Sequence, residues 1–136
     1  MTQEDKELLL KDLCARLPYG VKMNHIADDE HSPKTLIGVA KDMITLEGLG
    51  GYECVDTEDY KPYLFPLSSI TDEQERELSK LGVSYGEYAL HDDIRGLGIM
   101  VDEAYIFFEF CYKNHIDFLG LIEIGLAIDA TGKGIY

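Results

Sequence analysis

The residues of this chain that could do acid–base or nucleophilic chemistry fall in a few separate groups. His115 and Asp117 are two positions apart, and Cys111 precedes His115 by about one helical turn. A thiol, a base and an orienting carboxylate therefore fall close together, and they would serve hydrolysis only if the fold aimed all three at one point. The alternative is structural: Asp117 caps a following helix and His115 bonds a backbone carbonyl. The second reading asks less of the sequence and is the one adopted.

His91-Asp92-Asp93 has the His-Asp adjacency with which metal-dependent phosphohydrolases share a divalent ion. Such a site needs further His and Asp ligands on surrounding helices, whereas His25 and His31 fall in predicted strand and loop. A hydrolase built on His115/Asp117 or on His91/Asp92 is thus the least supported function. Asp28-Asp29-Glu30-His31 gathers oxygen ligands without the alternate spacing and glycine of a cation loop, and reads as an exposed turn. Gly48-Leu49-Gly50-Gly51 lacks the spacing and the following helix of a phosphate cradle, so it reads as a hairpin turn. No catalytic, metal or cofactor-binding residue is assigned.

Charge is the stronger signal. The 136 residues carry a net charge of −14, yet the first 22 are neutral, with four acids and four bases. Asp42, Glu47, Glu53, Asp56, Glu58 and Asp59 then follow within one stretch without a Lys or Arg among them. Such a surface repels phosphate backbones and anionic lipid, which argues against direct nucleic-acid or membrane binding and for a basic partner protein. These six acids are the candidate interaction surface. Set in a line, they could also imitate nucleic-acid phosphates and inhibit a basic host protein.

Cys14, Cys54 and Cys111 form no CxxC pair and read as free buried thiols of a reducing compartment. The opening MTQEDKELLLKDL lacks a signal peptide's apolar run, and no stretch approaches the ~20 apolar residues of a membrane helix. A cytoplasmic location is expected.

The elements that must position these residues follow from periodicity. Thr2 and Asp5 make a capping box for a first helix whose apolar stripe is Leu9, Leu10, Leu13, Cys14 and Leu17, ended by Pro18 and Gly20. GVKMNHI, TLIGVAK, MITLE and YECV are short β-type segments separated by turn residues, the middle two joined in a hairpin at Lys41-Asp42. KPYLFPL, with Pro62 and Pro66, reads as an edge strand whose Tyr63 and Phe65 pack on the first helix. Its P-x-x-x-P spacing is not that of a proline-recognition ligand, so it is a joint into a helix capped by Thr71 and Gln74 and stopped by Gly82. A short helix is expected around 86–95. Another should run from Asp102 to Asn114 with Ala104, Phe107, Phe108 and Cys111 inward, and a third over 118–124 capped by Asp117. The tail beyond Gly125 is expected to be extended.

Three blocks, LLLKDLCARLPYGVK (8–22), KPYLFPLSSITDEQ (61–74) and NHIDFLGLIEIGLAIDAT (114–131), together resemble small uncharacterised proteins of prophages and mobile elements in gut Bacteroidetes. The resemblance covers nearly the whole chain, apart from 82–100, which has the look of an insertion. It implies an intracellular accessory protein of mobile-element origin, and brings no functional residue with it.

The expectation is one α+β domain over 1–136. An N-terminal helix packs on a small curled antiparallel sheet or SH3-like half-barrel of four to five short strands within 1–70, and a mostly helical half follows over 71–136. Its expected function is non-enzymatic protein interaction.

Overall fold

A computed structural model describes residues 1–27, 32–82 and 101–136, and the side chains of all of these except 101–104. Helix α1 (Gln3–Arg16) begins at the expected capping box: the Thr2 hydroxyl accepts from the Asp5 N–H, and the Asp5 carboxylate accepts from the Thr2 N–H. Its buried face is not the leucine stripe alone. Leu9, Asp12, Leu13 and Arg16 turn inward, whereas Cys14 is exposed.

A charged pair can replace apolar positions on that face because its donors are used. Arg16 Nε donates to Asp12 Oδ2 at 2.8 Å, Nη2 to the Ile116 carbonyl at 2.7 Å and Nη1 to the Cys111 carbonyl at 3.5 Å. The guanidinium also lies 5.3 Å from the Tyr112 ring centroid. One side chain thereby fastens the first helix to a segment almost a hundred residues later. The Asp12 carboxyl is held above its ordinary range by burial, against the opposing pull of Arg16.

The sheet is built as the segment pattern predicts, then extended. Strands β1 (Lys22–His25), β2 (Lys34–Val39), β3 (Met43–Gly48) and β4 (Gly51–Asp56) are followed by β5 (Tyr60–Pro66), in the antiparallel order β4-β3-β2-β1-β5. Two short strands, β6 (Ile116–Asp117) and β7 (Ile128–Asp129), pair with β5 in parallel. The result is α+β as expected, with a curled open mixed sheet of seven strands in place of four or five. Gly38 sits at the bulge between β2 and β3, where a Cβ would come within 3.2 Å of the Thr45 side chain.

β5 is therefore not an edge strand. Phe65 N–H donates to the His115 carbonyl and Ala130 N–H donates to the Leu64 carbonyl, both at 2.8 Å, so the parallel pairings use groups that the prolines do not remove. Strands of two residues leave too little pattern to be read from sequence. The faces of β5 are also exchanged relative to expectation: Tyr60 and Leu64 join Leu9 and Leu13 of α1 in the main core, while Phe65 meets the ring of Tyr136 with centroids 5.9 Å apart.

A second cluster joins Leu78 of α2 (Asp72–Lys80) to Phe107, Phe110 and Cys111 of α3 (Val101–Lys113) and to Ile116. The Thr71–Gln74 capping box is present at the start of α2, and Gly82 follows its end with φ +90°. Phe107 and Cys111 turn inward as predicted; Phe108 is partly buried and stacks on Phe118 at 4.7 Å. Ala104 is among the side chains left undescribed.

Among the described residues, the helix expected over 118–124 is absent. The chain bends at 118–119 and turns at 121–124, where left-handed Gly120 (φ +77°) and Gly125 (φ +80°) leave only four residues between them, too few for a helix to nucleate. Asp117 still caps that turn. The predicted helix at 86–95 and nearly all of the 82–100 segment lie outside the described residues. No helix among the described residues is long and apolar enough to cross a membrane.

Candidate protein-binding edge

β4 ends the sheet. It pairs with β3 through six consecutive residues, from Met43 opposite Asp56 to Gly48 opposite Gly51, without a bulge. Thr57 N–H donates to the Asp42 carbonyl at 3.2 Å and continues the same ladder. Backbone groups alternate sides along an antiparallel strand, so Gly51, Glu53 and Val55 point toward β3, as Thr57 does. Tyr52, Cys54 and Asp56 present their N–H and C=O groups to the opposite edge, where no strand pairs among the described residues. Natural edges are usually blunted by lysine, proline or a bulge; this one carries none of them.

Side chains alternate by face. Tyr52, Cys54 and Asp56 share the outer face with Met43, Thr45 and Glu47, while Glu53 and Val55 share the core-side face with Ile44 and Leu46. The outer face is open and partly apolar: Tyr52 is 74% exposed, Met43 43% and Ile37 41%, and Leu49 stands fully exposed at the hairpin tip. The Cys54 thiol lies 3.6 Å from the Thr45 hydroxyl.

The six acids stay at this end of the molecule without forming one line. Glu47 and Asp56 lie on the outer face, about four residues or ~13 Å apart along the hairpin. Glu53, on the other face, forms an ion pair with Lys34, whose hydrogen bond holds its carboxyl below the usual range. Glu58 pairs with Lys6 of α1 and is lowered by the same cause. Glu58 and Asp59 lie in the 3-10 turn Thr57–Asp59, and Asp42 sits in the β2–β3 turn. A phosphate-mimicking line would require all six on one surface, and the register divides them.

Below Asp56 the end of β4 opens on a cavity of about 240 Å³ lined by Lys6, Leu10, Asp42, Asp56, Thr57 and Glu58 among others. Thr57 is only 9% exposed, and its hydroxyl has no hydrogen-bond partner among the described residues.

The residues singled out for chemistry are placed otherwise. His115 lies in the turn two residues past the end of α3, with φ +59°, and its ring stacks on Tyr136, centroids 3.7 Å apart. Its Nδ1 is buried without a hydrogen-bond partner among the described residues, so that nitrogen does not make the expected bond to a carbonyl. Burial first, then the charges of Arg16 and Lys22, lower its pKa to about 4. Both Asp117 oxygens are committed, accepting from the Leu121 N–H at 3.0 Å and the Ile122 N–H at 2.9 Å. Cys111 is buried and its thiol is pushed up to about 12 by that burial, so it stays protonated at neutral pH.

These three do not make a nucleophilic set. Cys14 and Cys54 are exposed, contrary to the expectation of burial, because each lies on the solvent side of its element. Asp28 to His31 and His91 to Asp93 lie outside the described residues. Sequence reasoning found the acids but missed the edge itself. The available signal was the segment YECVD, free of lysine and proline and last in a run of hairpin-linked strands.

No protein-family model, curated protein or solved structure matches the chain.

Proposed function

We propose that this protein is a non-enzymatic binding module that takes up an extended, basic segment of a partner protein as an added strand on β4. The observation that carries the reading is the regular edge at Tyr52, Cys54 and Asp56, unpaired among the described residues and bordered by carboxylates. Strand addition draws affinity from main-chain hydrogen bonds and selectivity from alternating side chains. A guest strand that alternates basic and apolar residues would set its basic side chains on the outer face, near Glu47 and Asp56, and its apolar ones on the opposite face, beside Val55.

Self-pairing of two β4 edges is disfavoured by the net charge of −14, whereas a basic guest is drawn to it. The three sequence blocks that resemble mobile-element proteins support an accessory role of phage or mobile-element origin. Three cysteines without a CxxC pair support a cytoplasmic setting.

The test is an NMR titration of the isotope-labelled protein with a capped peptide of alternating arginine and valine at low ionic strength. The amides of Tyr52, Cys54 and Asp56 should shift and gain protection from exchange, the effect should fade with added salt, and a glutamate-for-arginine peptide should leave them unmoved. Shifts confined to other surfaces, or none, would overturn the reading.

A further inference from the structure

We infer that the segment 131–136 is a releasable strap, bolted by the Tyr136 hydroxyl into a gap between β1 and β5, whose release bares the Phe65 and His115 rings. The inference is independent of the strand-addition reading. Ile26 N–H donates to the Asp59 carbonyl, so alternation along the antiparallel pair turns the N–H groups of Asn24 and Lys22 toward β5 as well. With Met23 opposite Pro62, the next rung would join Lys22 to Tyr63. The Tyr136 hydroxyl stands in that rung instead, accepting from the Lys22 N–H and donating to the Tyr63 carbonyl, both at 2.8 Å. β1 is drawn away there by its pairing with β2, and β6 takes over along β5 only from Phe65.

Little else holds the segment. Residues 131–134 are exposed, Gly132 and Gly134 turn the chain at φ +73° and +65°, and Lys133 N–H to the Ala130 carbonyl, at 3.2 Å, is the last backbone bond among the described residues. Tyr136 stacks on His115 and meets Phe65, yet is itself 43% exposed. A water molecule can bridge Lys22 and Tyr63 as the hydroxyl does, so release leaves neither backbone group unbonded. With Thr131 and Gly132, Tyr136 forms one wall of a cavity of about 470 Å³ that Phe65, Lys113 and His115 also line, and release opens that wall.

Release also wets the His115 ring, whose Nδ1 is buried without a partner among the described residues while the strap is down. Arg16 of α1 and Lys22 of β1 are the charges that bear on it, and the cavity adds Lys113 and no Asp or Glu side chain. Its pKa, about 4 under the strap, moves toward the ordinary ~6.5 on release. The released form therefore binds a proton more readily, and acid favours it.

Amide hydrogen exchange of the unaltered protein reads the opening. Leu36, whose N–H donates to the Val21 carbonyl at 2.9 Å next to Lys22, is the core reference. At pH 7 the Lys22 amide should be about tenfold or more less protected than Leu36, and its protection should hold through low urea while that of Leu36 falls, the mark of a local opening. From pH 7 to 5 Lys22 should lose about fivefold or more of its protection relative to Leu36, and in His115→Asn about twofold or less. In Tyr136→Ala the Lys22 amide should lose its protection while Leu36 keeps its own.

Equal protection and equal urea dependence of Lys22 and Leu36 would overturn the strap, as would a Tyr136→Ala chain in which Leu36 is unprotected too. An acid response that persists in His115→Asn would overturn its control by His115.

Discussion

Arg16→Met is the perturbation whose size follows most directly from the geometry. Arg16 is fully buried and gives up an ion pair at 2.8 Å and bonds to the Ile116 and Cys111 carbonyls, leaving Asp12, 1% exposed, without its counter-ion. Breaking a buried pair from one side costs about 3–5 kcal/mol, a large part of the 5–15 kcal/mol of a typical domain. For a chain of 136 residues that lowers the thermal midpoint by roughly 10–20 °C.

Asp12→Leu/Arg16→Met should be less damaging than Arg16→Met alone, because no charge is left stranded. A pH signature accompanies it. Burial already raises the Asp12 carboxyl, and without Arg16 the opposing pull is gone. A folded-state pKa above the unfolded value of ~3.9 means that the folded chain holds a proton the unfolded chain has released. Stability therefore falls as pH rises through the folded pKa, and the Arg16→Met deficit should be smaller near pH 5 than near pH 8. Urea unfolding of the three variants at both pH values measures this. A loss under about 1 kcal/mol for Arg16→Met, or a double variant as unstable as the sum of its parts, would refute the tethering role.

Other outcomes follow from single contacts. The Tyr136 hydroxyl accepts from the Lys22 N–H and donates to the Tyr63 carbonyl, both at 2.8 Å, so Tyr136→Phe should cost about 1–2 kcal/mol in chemical denaturation. His115, depressed to about 4, binds fewer protons folded than unfolded between that value and ~6.5. Its contribution is present above ~6.5 and lost as pH falls toward 4. Discounted for the part of the ring in contact with water, about 1–2 kcal/mol more should be lost by the unaltered protein than by His115→Asn between pH 7 and 4.5 in urea titrations. A thiol reagent should label Cys14 and Cys54 promptly in the folded protein and Cys111 only on unfolding, as mass spectrometry of timed samples would show.

Much of the first half of the fold could be read from local patterns. Thr2 and Thr71 announce their helices because a capping box is a four-residue signal, and the four strands to Val55 are separated by turn residues that break the period. What escaped depends on distant partners. Arg16 and Asp12 look like solvent positions until Ile116 and Cys111 supply acceptors, and β5 looks like an edge until two-residue strands from the far end of the chain arrive beside it. Gly120 and Gly125 were visible, yet their left-handed backbone decides that the segment between them stays a turn. For the candidate site, composition supplied the six acids, while the register that divides them and the outward-facing backbone of β4 belong to the sheet alone.

The central claim is most directly tested at Cys54, whose N–H points away from β3. Cys54→Pro deletes that donor and leaves the bonds of Glu53 and Val55 to β3 in place, whereas Cys54→Thr keeps the donor. Both variants should fold, with thermal midpoints within a few degrees of each other, and the proline variant should bind the arginine–valine peptide about tenfold or more weakly than the threonine variant. Equal affinity in two folded variants would contradict strand addition on β4.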